Sequence, residues 1–450
     1  MRILAETRRL GLAGLALTAV LAGAGQAHAN RRYPAAGLIA LDPSDPQHIV
    51  VRATYGVIST QDGGQTWRWV CEQAVGFTDN EDPMVVLTQN GTILAGVFKG
   101  LSRSSDKGCG WSYVGGDLTD RYVVDLTVEK ETPAHALAIA SNGIGGGKFK
   151  TQVFESNDNG TTWAQAGANL PEEFLGLTID AAPSNPQRLY ASGRYGAPDY
   201  PGTIERSDDR GKTWQRFDIP GSDDKHPPYL SAIDPANPDV LYVRLDAAGA
   251  DVLMVSKDGG LTWAKAFEGV AGLFGFALSP DGTKVAVGGD KDGLWTAPAD
   301  TLAFTKVSTL GVKCLLWSGD SLYACADEFK DGFHVGVSTN EGKTFTALEH
   351  LQEICPAECA SDSTAGSTCG IQWGALALTI GADSCDGEVD AGASGSTSSS
   401  ASSGGASASG GGGGGCSSSV AGGGAVGGAM LLAAAAVSAA LQRRRQRRAR

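Results

Sequence analysis

Six Asp or Asn side chains recur in this 450-residue chain inside nearly the same eight-residue stretch. Carboxylates repeated at a fixed spacing are what acid–base catalysis or cation binding would use. The clearest copies are Thr60-Gln-Asp62-Gly-Gly64-Gln-Thr66-Trp67, Ser156-Asn-Asp158-Asn-Gly160-Thr-Thr162-Trp163, Ser207-Asp-Asp209-Arg-Gly211-Lys-Thr213-Trp214 and Ser256-Lys-Asp258-Gly-Gly260-Leu-Thr262-Trp263. Two degenerate copies surround Asp106 and Asn340. Their neighbours argue against catalysis. An Asp with a hydroxyl residue on each side and a Gly two positions on makes a tight turn: the carboxylate accepts backbone N–H bonds and Gly supplies positive φ. The Trp then opens a strand and supplies apolar area. These aspartates are therefore expected to hold turns, with no catalytic, metal or cofactor role.

The pattern S/T-x-D-x-G-x-T-W resembles the Asp-box, or BNR repeat, of sialidase-type β-propellers. That resemblance implies boxes joining the third and fourth strands of each blade, on the face opposite the usual active site. The box aspartates stand at 62, 106, 158, 209 and 258, with steps of 44, 52, 51 and 49 residues, in the range of propeller blades. From Asp258 to Asn340 is 82 residues, two steps, so a blade without a box is expected over 276–307. Short Val/Leu/Tyr runs alternate with Pro/Asn/Asp clusters such as Leu41-Asp-Pro-Ser-Asp-Pro46, the signature of strands and turns. The reading is all-β: a seven-bladed β-propeller over 33–350.

Boxes at one end place the second-to-third-strand loops and the inter-blade loops at the other, where binding usually sits on a rigid scaffold. Candidate rim residues are Arg194, Tyr195, Asp199, Tyr200, His226, Asp246 and Asp327. A sialidase needs three arginines, a Tyr/Glu pair and an acid; Arg52, Arg194 and Arg244 sit at comparable points, but Arg31-Arg32-Tyr33-Pro34 lacks the family's Phe/Tyr-Arg-Ile-Pro order. Xyloglucan hydrolases share the box yet use two carboxylates across a cleft, usually between two propellers. Sortilin ectodomains and photosystem assembly propellers bind peptides or proteins without catalysis. The expectation is a non-enzymatic binding propeller for a protein, peptide or glycan, the alternative a glycoside hydrolase using rim carboxylates. Acidic loops could hold Ca²⁺, but scattered surface carboxylates do not specify one, and no cofactor is expected.

Residues 1–29 read as a signal peptide with Arg8-Arg9, an apolar run and Ala27-His28-Ala29. Residues 386–415 are a Ser/Gly/Ala linker expected to be disordered. In 416–450, Cys416, an apolar stretch over 420–441 and an Arg-rich end suggest a transmembrane helix. That order resembles the C-terminal sorting signal of myxobacterial surface proteins, which implies processing or lipidation at Cys416. The expected location is the cell surface or outer membrane of a bacterium, held by the C-terminus. Leaving out the nine arginines of the two ends and Glu6, 36 basic and 49 acidic residues become 27 and 48, about −21. Such a body is a poor partner for nucleic acid.

Eight further cysteines in an exported chain suggest disulfides rather than zinc. Cys314 and Cys325 flank one hairpin and are expected to pair, as are Cys71 and Cys109 in neighbouring units. Cys355, Cys359, Cys369 and Cys385 are expected to form a small Cys-rich cap over 351–385, with three possible connectivities.

Overall fold

The computed structural model describes residues 34–77, 81–196, 199–246, 249–382 and Cys385. The signal peptide, linker, Cys416 and apolar stretch expected from the sequence lie outside the described residues. Seven antiparallel sheets follow one another along the chain and form the blades of a propeller. Blade 1 runs from Ala36–Leu41 to Trp67–Cys71, blade 2 from Val85–Leu87 to Ser112–Tyr113 and blade 3 from Val123–Val128 to Ala164–Gln165. Blade 4 runs from Leu175–Ala182 to Gln215–Asp218, blade 5 from Pro228–Ile233 to Ala264–Glu268, blade 6 from Gly275–Leu278 to Thr305–Ser308 and blade 7 from Cys314–Ser318 to Thr346–Glu349. The blade over 276–307 is present and has no eight-residue turn between its third and fourth strands.

First strands of successive blades neighbour one another around the centre, and that of blade 1 meets that of blade 7, which closes the ring. Because the chain reverses at every strand, each blade has a turn end and a loop end. First-to-second and third-to-fourth connections lie at the turn end. Second-to-third and blade-to-blade connections lie at the loop end.

The six eight-residue turns all join third to fourth strands. Asp62 accepts the Thr60 hydroxyl at 2.6 Å, the N–H groups of Gln65 and Thr66 at 2.9 and 3.0 Å, and the Thr66 hydroxyl at 2.7 Å. Burial alone would raise the Asp62 carboxyl, but these donors bring it down to about 2. Asp158, Asp209 and Asp258 likewise accept from two flanking hydroxyls and the N–H of the residue four positions on. At Asn340 the polarity reverses, and its amide donates to the Thr344 hydroxyl at 2.8 Å. At Asp106 the place of the second hydroxyl residue is taken by Gly110, while the adjacent Cys109 is bonded to Cys359.

Each turn also fastens its blade to the preceding one. A Cβ on Gly160, which has φ 72°, would stand 2.6 Å from Leu94 of blade 2, and one on Gly64 would stand 2.5 Å from Leu348 of blade 7. The Trp indoles fill the same seams: Trp163 packs between blades 2 and 3, Trp214 between 3 and 4, and Trp263 between 4 and 5. Trp67 and Trp111, against which the C-terminal segment packs, are buried, at 1% and 7% exposure, whereas Trp163, Trp214 and Trp263 are half-buried. The hydrophobic core is thus a set of layers between neighbouring blades.

The expected Cys-rich cap is corrected as well. Residues 354–380 hold a strand, Ile354–Pro356, parallel to the outer strand of blade 1, and a 17-residue helix, Thr364–Ile380. Ser363 caps the helix start by accepting from the Gly366 N–H, and Gly381 ends it in the left-handed conformation. Cys314 and Cys325 are bonded, but Cys71 and Cys109 are not. Cys71 closes the outer strand of blade 1 at the loop end, while Cys109 lies in a turn at the other end. Each pairs instead with the C-terminal segment: Cys71 with Cys369 and Cys109 with Cys359, while Cys355 pairs with Cys385. The Trp69 and Trp373 rings meet at 5.7 Å beneath them. No described helix is long and apolar enough to cross a membrane.

Candidate functional site: the loop face

The loop end gathers most rim residues, in two different roles. At the junction of blades 4 and 5, Tyr229 is half-buried, and desolvation raises its hydroxyl. The charges around it are Arg244, Asp246, Arg194 and Asp251. The Arg244 guanidinium lies 5.0 Å over the Tyr229 ring and donates to Asp251 at 2.8 Å. Arg194 covers Tyr200 at 5.4 Å. Arg194, Tyr200 and Asp246 therefore converge, and Asp199 adjoins Tyr200 in the chain.

Tyr195 belongs to the seam beneath. Its hydroxyl donates to Glu205 at 2.9 Å, with Phe174 on one side and Arg216 4.0 Å over the ring. Burial pushes the Glu205 carboxyl up to about 7, against the lowering effect of Tyr195 and Arg216. His226 pairs with Asp223 at 2.7 Å. Asp327 caps the short helix Glu328–Asp331 by accepting the Phe329 N–H at 3.1 Å, a structural task.

The three arginines compared across blades are not equivalent. Arg52 and Arg244 each hold the fourth place of a second strand and pair with Asp82 and Asp251, both at 2.8 Å. Arg194 lies two places further along its strand, at the level of Asp246. Spacing alone hid this, because the blade 4 hairpin is longer.

Carboxyls held above their ordinary range are Asp125, Asp180 and Glu205 among the described residues. All three sit within strands, in seams or the channel wall, and none stands on the loop face. Glu349 and His334 form a buried pair at 2.9 Å, sealed from solvent. Among the described residues no group of three His, Cys, Asp or Glu is placed to hold a metal.

What the loop face does present is apolar surface. Phe98, Tyr122, Ile144, Val270, Phe274 and Phe329 are 42–72% exposed and stand in or beside second-to-third-strand or inter-blade connections, while Ile371 and Leu378, more exposed still, lie on the helix Thr364–Ile380. Phe98 and Tyr122 meet at 5.5 Å. Ile144 rides on the hairpin Ala136–Gly145/Lys148–Ser156, which outgrows its neighbouring strands. On the turn end Leu261 is an exposed large apolar side chain. Of the loop-face side chains, only Phe329 shares a loop with a candidate residue named from the sequence, Asp327. A large apolar residue inside an otherwise polar connection was the signal available.

Residues 151–292 match the family model described as sortilin, neurotensin receptor 3. A xyloglucanase of Hypocrea jecorina (strain QM6a) is 27% identical over 279 residues, 53% of this chain and 32% of that protein. The chain thus spans about a third of the length of that relative. Among solved structures, an ancestral GH74 enzyme overlays with TM-score 0.48 at 17% identity, covering 70% of this chain and 44% of that one. Hydrazine synthase of Kuenenia stuttgartiensis gives TM-score 0.48 at 13% identity, covering 73% of this chain and 100% of that one. None of these likenesses extends to an activity.

Proposed function

We propose that this is an exported, surface-anchored binding propeller that recognises a protein partner through its loop face and catalyses nothing there. The observation that carries the reading is the set of exposed apolar side chains at the loop end, Phe98, Tyr122, Ile144, Val270, Phe274 and Phe329, apart from Ile371 and Leu378 on the C-terminal helix. Exposed aromatic side chains are enriched in protein contacts, and Phe98 and Tyr122 touch one another there. The convergent Arg194, Tyr200, Tyr229 and Arg244 add stacked guanidinium and phenol groups of the kind that make interface hot spots. The propeller likeness to a sortilin-type family agrees with a binding role, and the export signals at both ends agree with a partner outside the cell.

The glycosidase alternative rests on the partial likeness to a xyloglucanase. It needs two carboxyls facing one another across an open cleft. The elevated carboxyls here are inside strands, which favours the binding reading.

The test is capture from solubilised envelope of the source cell, comparing the protein with a Phe98→Asp, Tyr122→Asp, Phe274→Asp variant and a Leu261→Asp control. Loss of the captured partner with the loop-face variant alone supports the proposal. Unchanged capture contradicts it. So does turnover of xyloglucan oligosaccharides or sialosides that disappears in Asp199→Asn or Asp246→Asn.

A further inference from the structure

The central channel holds a cavity of about 240 Å³ at its turn end, away from the loop face. Its walls are the last residues of the first strands of blades 3 to 6, part of the first strand of blade 7 and the turns that follow blades 3 and 4's first strands. One side is apolar, with Phe276, Leu316 and Trp317. The other carries Asp180, Glu129, Glu131 and Lys130.

We propose that this cavity is a second binding site, for an alkylammonium group: a primary amine on an apolar stem, such as a lysine side chain. Three features fit that chemistry. The volume is below the roughly 300–1,000 Å³ of sites for larger ligands and suits a single side chain. The aromatic faces of Phe276 and Trp317 attract a cation as well as an alkyl stem. The acidic wall has charge to spare. Glu129 is neutralised by Arg210, whose guanidinium donates to it at 2.5 Å and to Glu155 at 3.0 Å. Asp180 has no such partner and is served by the Thr127 hydroxyl and by the more distant charge of Lys130, which is exposed.

Behind Asp180 stands Asp125, whose carboxylate accepts the Ile179 N–H at 2.8 Å. The charge of Asp180 adds to burial in raising Asp125. Burial likewise lifts Asp180 to about 6. A bound ammonium would relieve both groups, because opposite charge favours the ionised carboxylate.

The probes are Nα-acetyl-lysine N-methylamide, its norleucine counterpart and n-butylamine, titrated calorimetrically into the full protein at low salt. The lysine compound is expected to bind in the millimolar range. The norleucine compound, and the lysine compound with Asp180→Asn, should each bind about tenfold more weakly, the loss of one charged hydrogen bond. Leu316→Trp, which fills the cavity, should remove binding, while the loop-face variant Phe98→Asp, Tyr122→Asp, Phe274→Asp should leave it intact. Binding of n-butylamine equal to that of the lysine compound identifies a free amine as the ligand, and weaker binding a peptide-borne lysine. Absence of binding to the unaltered protein, equal affinity for norleucine, or undiminished affinity in a folded Asp180→Asn overturns the proposal.

Discussion

Asp62 in its turn and Asp180 in the channel respond to pH with opposite sign. Asp62 is held at about 2 by hydroxyl and N–H donors, so its contribution is present above the unfolded value near 4 and is lost as pH falls towards 2. Asp180 is raised to about 6, so it favours the unfolded chain once pH exceeds 4, and the full cost is in place above 6. Asp180→Asn is accordingly expected to stabilise the protein by roughly 2–3 kcal/mol at pH 7 and by nothing measurable at pH 4, read from denaturant midpoints at the two pH values. An equal shift at both would mean the carboxyl is not elevated. Trp67 and Trp163 supply a second comparison. Trp67→Ala should cost about 3–5 kcal/mol, as for other buried aromatic truncations, and Trp163→Ala about half of that because its ring is half-buried. Equal losses would show that seam position matters more than burial. The motif made the turn role of Asp62 and its counterparts legible, since every donor lies within four residues. The pairing of Tyr195 with Glu205 was not legible, because it joins the residue after one strand to the next strand across a hairpin.

At the scale of elements, the turns and the C-terminal segment share one task, which is to bind blades to one another. Each turn presses on the blade before it, so the turn of blade 1 reaches Leu348 of blade 7, where the Trp67 indole N–H donates to the Leu348 carbonyl at 3.1 Å. The segment from Ile354 adds an outer strand to blade 1, and two disulfides hold it to blades 1 and 2. The double variant Cys71→Ser, Cys369→Ser should lose about 2–4 kcal/mol. Hydrogen exchange should then quicken along the outer strand of blade 1 and the helix, with blades 3 to 5 unchanged. A uniform change around the ring would refute a local clasp. The period of the turns exposed the blades, including the one without a turn, because a repeated strand–turn unit leaves a regular spacing. The helix Thr364–Ile380 escaped notice because it carries no charged residue and three glycines, which blur an amphipathic period. The pairing of the C-terminal segment's cysteines depends on which end of the ring each reaches, a fact of three dimensions.

For the molecule as a whole, the two ends of the propeller are unlike. The loop end displays large apolar side chains and stacked arginines, and the turn end carries the hydrogen-bonded aspartates around a small channel cavity. Strand reversal made the existence of these two ends legible, whereas the apolar character of the loop end depended on which side chains the loops expose. The central claim is that a protein partner sits on the loop end. Hydrogen exchange of the protein with and without its captured partner tests this most directly. Protection is predicted at 98–99, 119–122, 142–149, 269–274 and 327–331, with the turns at 62–66, 158–162, 209–213 and 258–262 unaffected. Protection confined to those turns, with the loops exchanging as in the free protein, would contradict it.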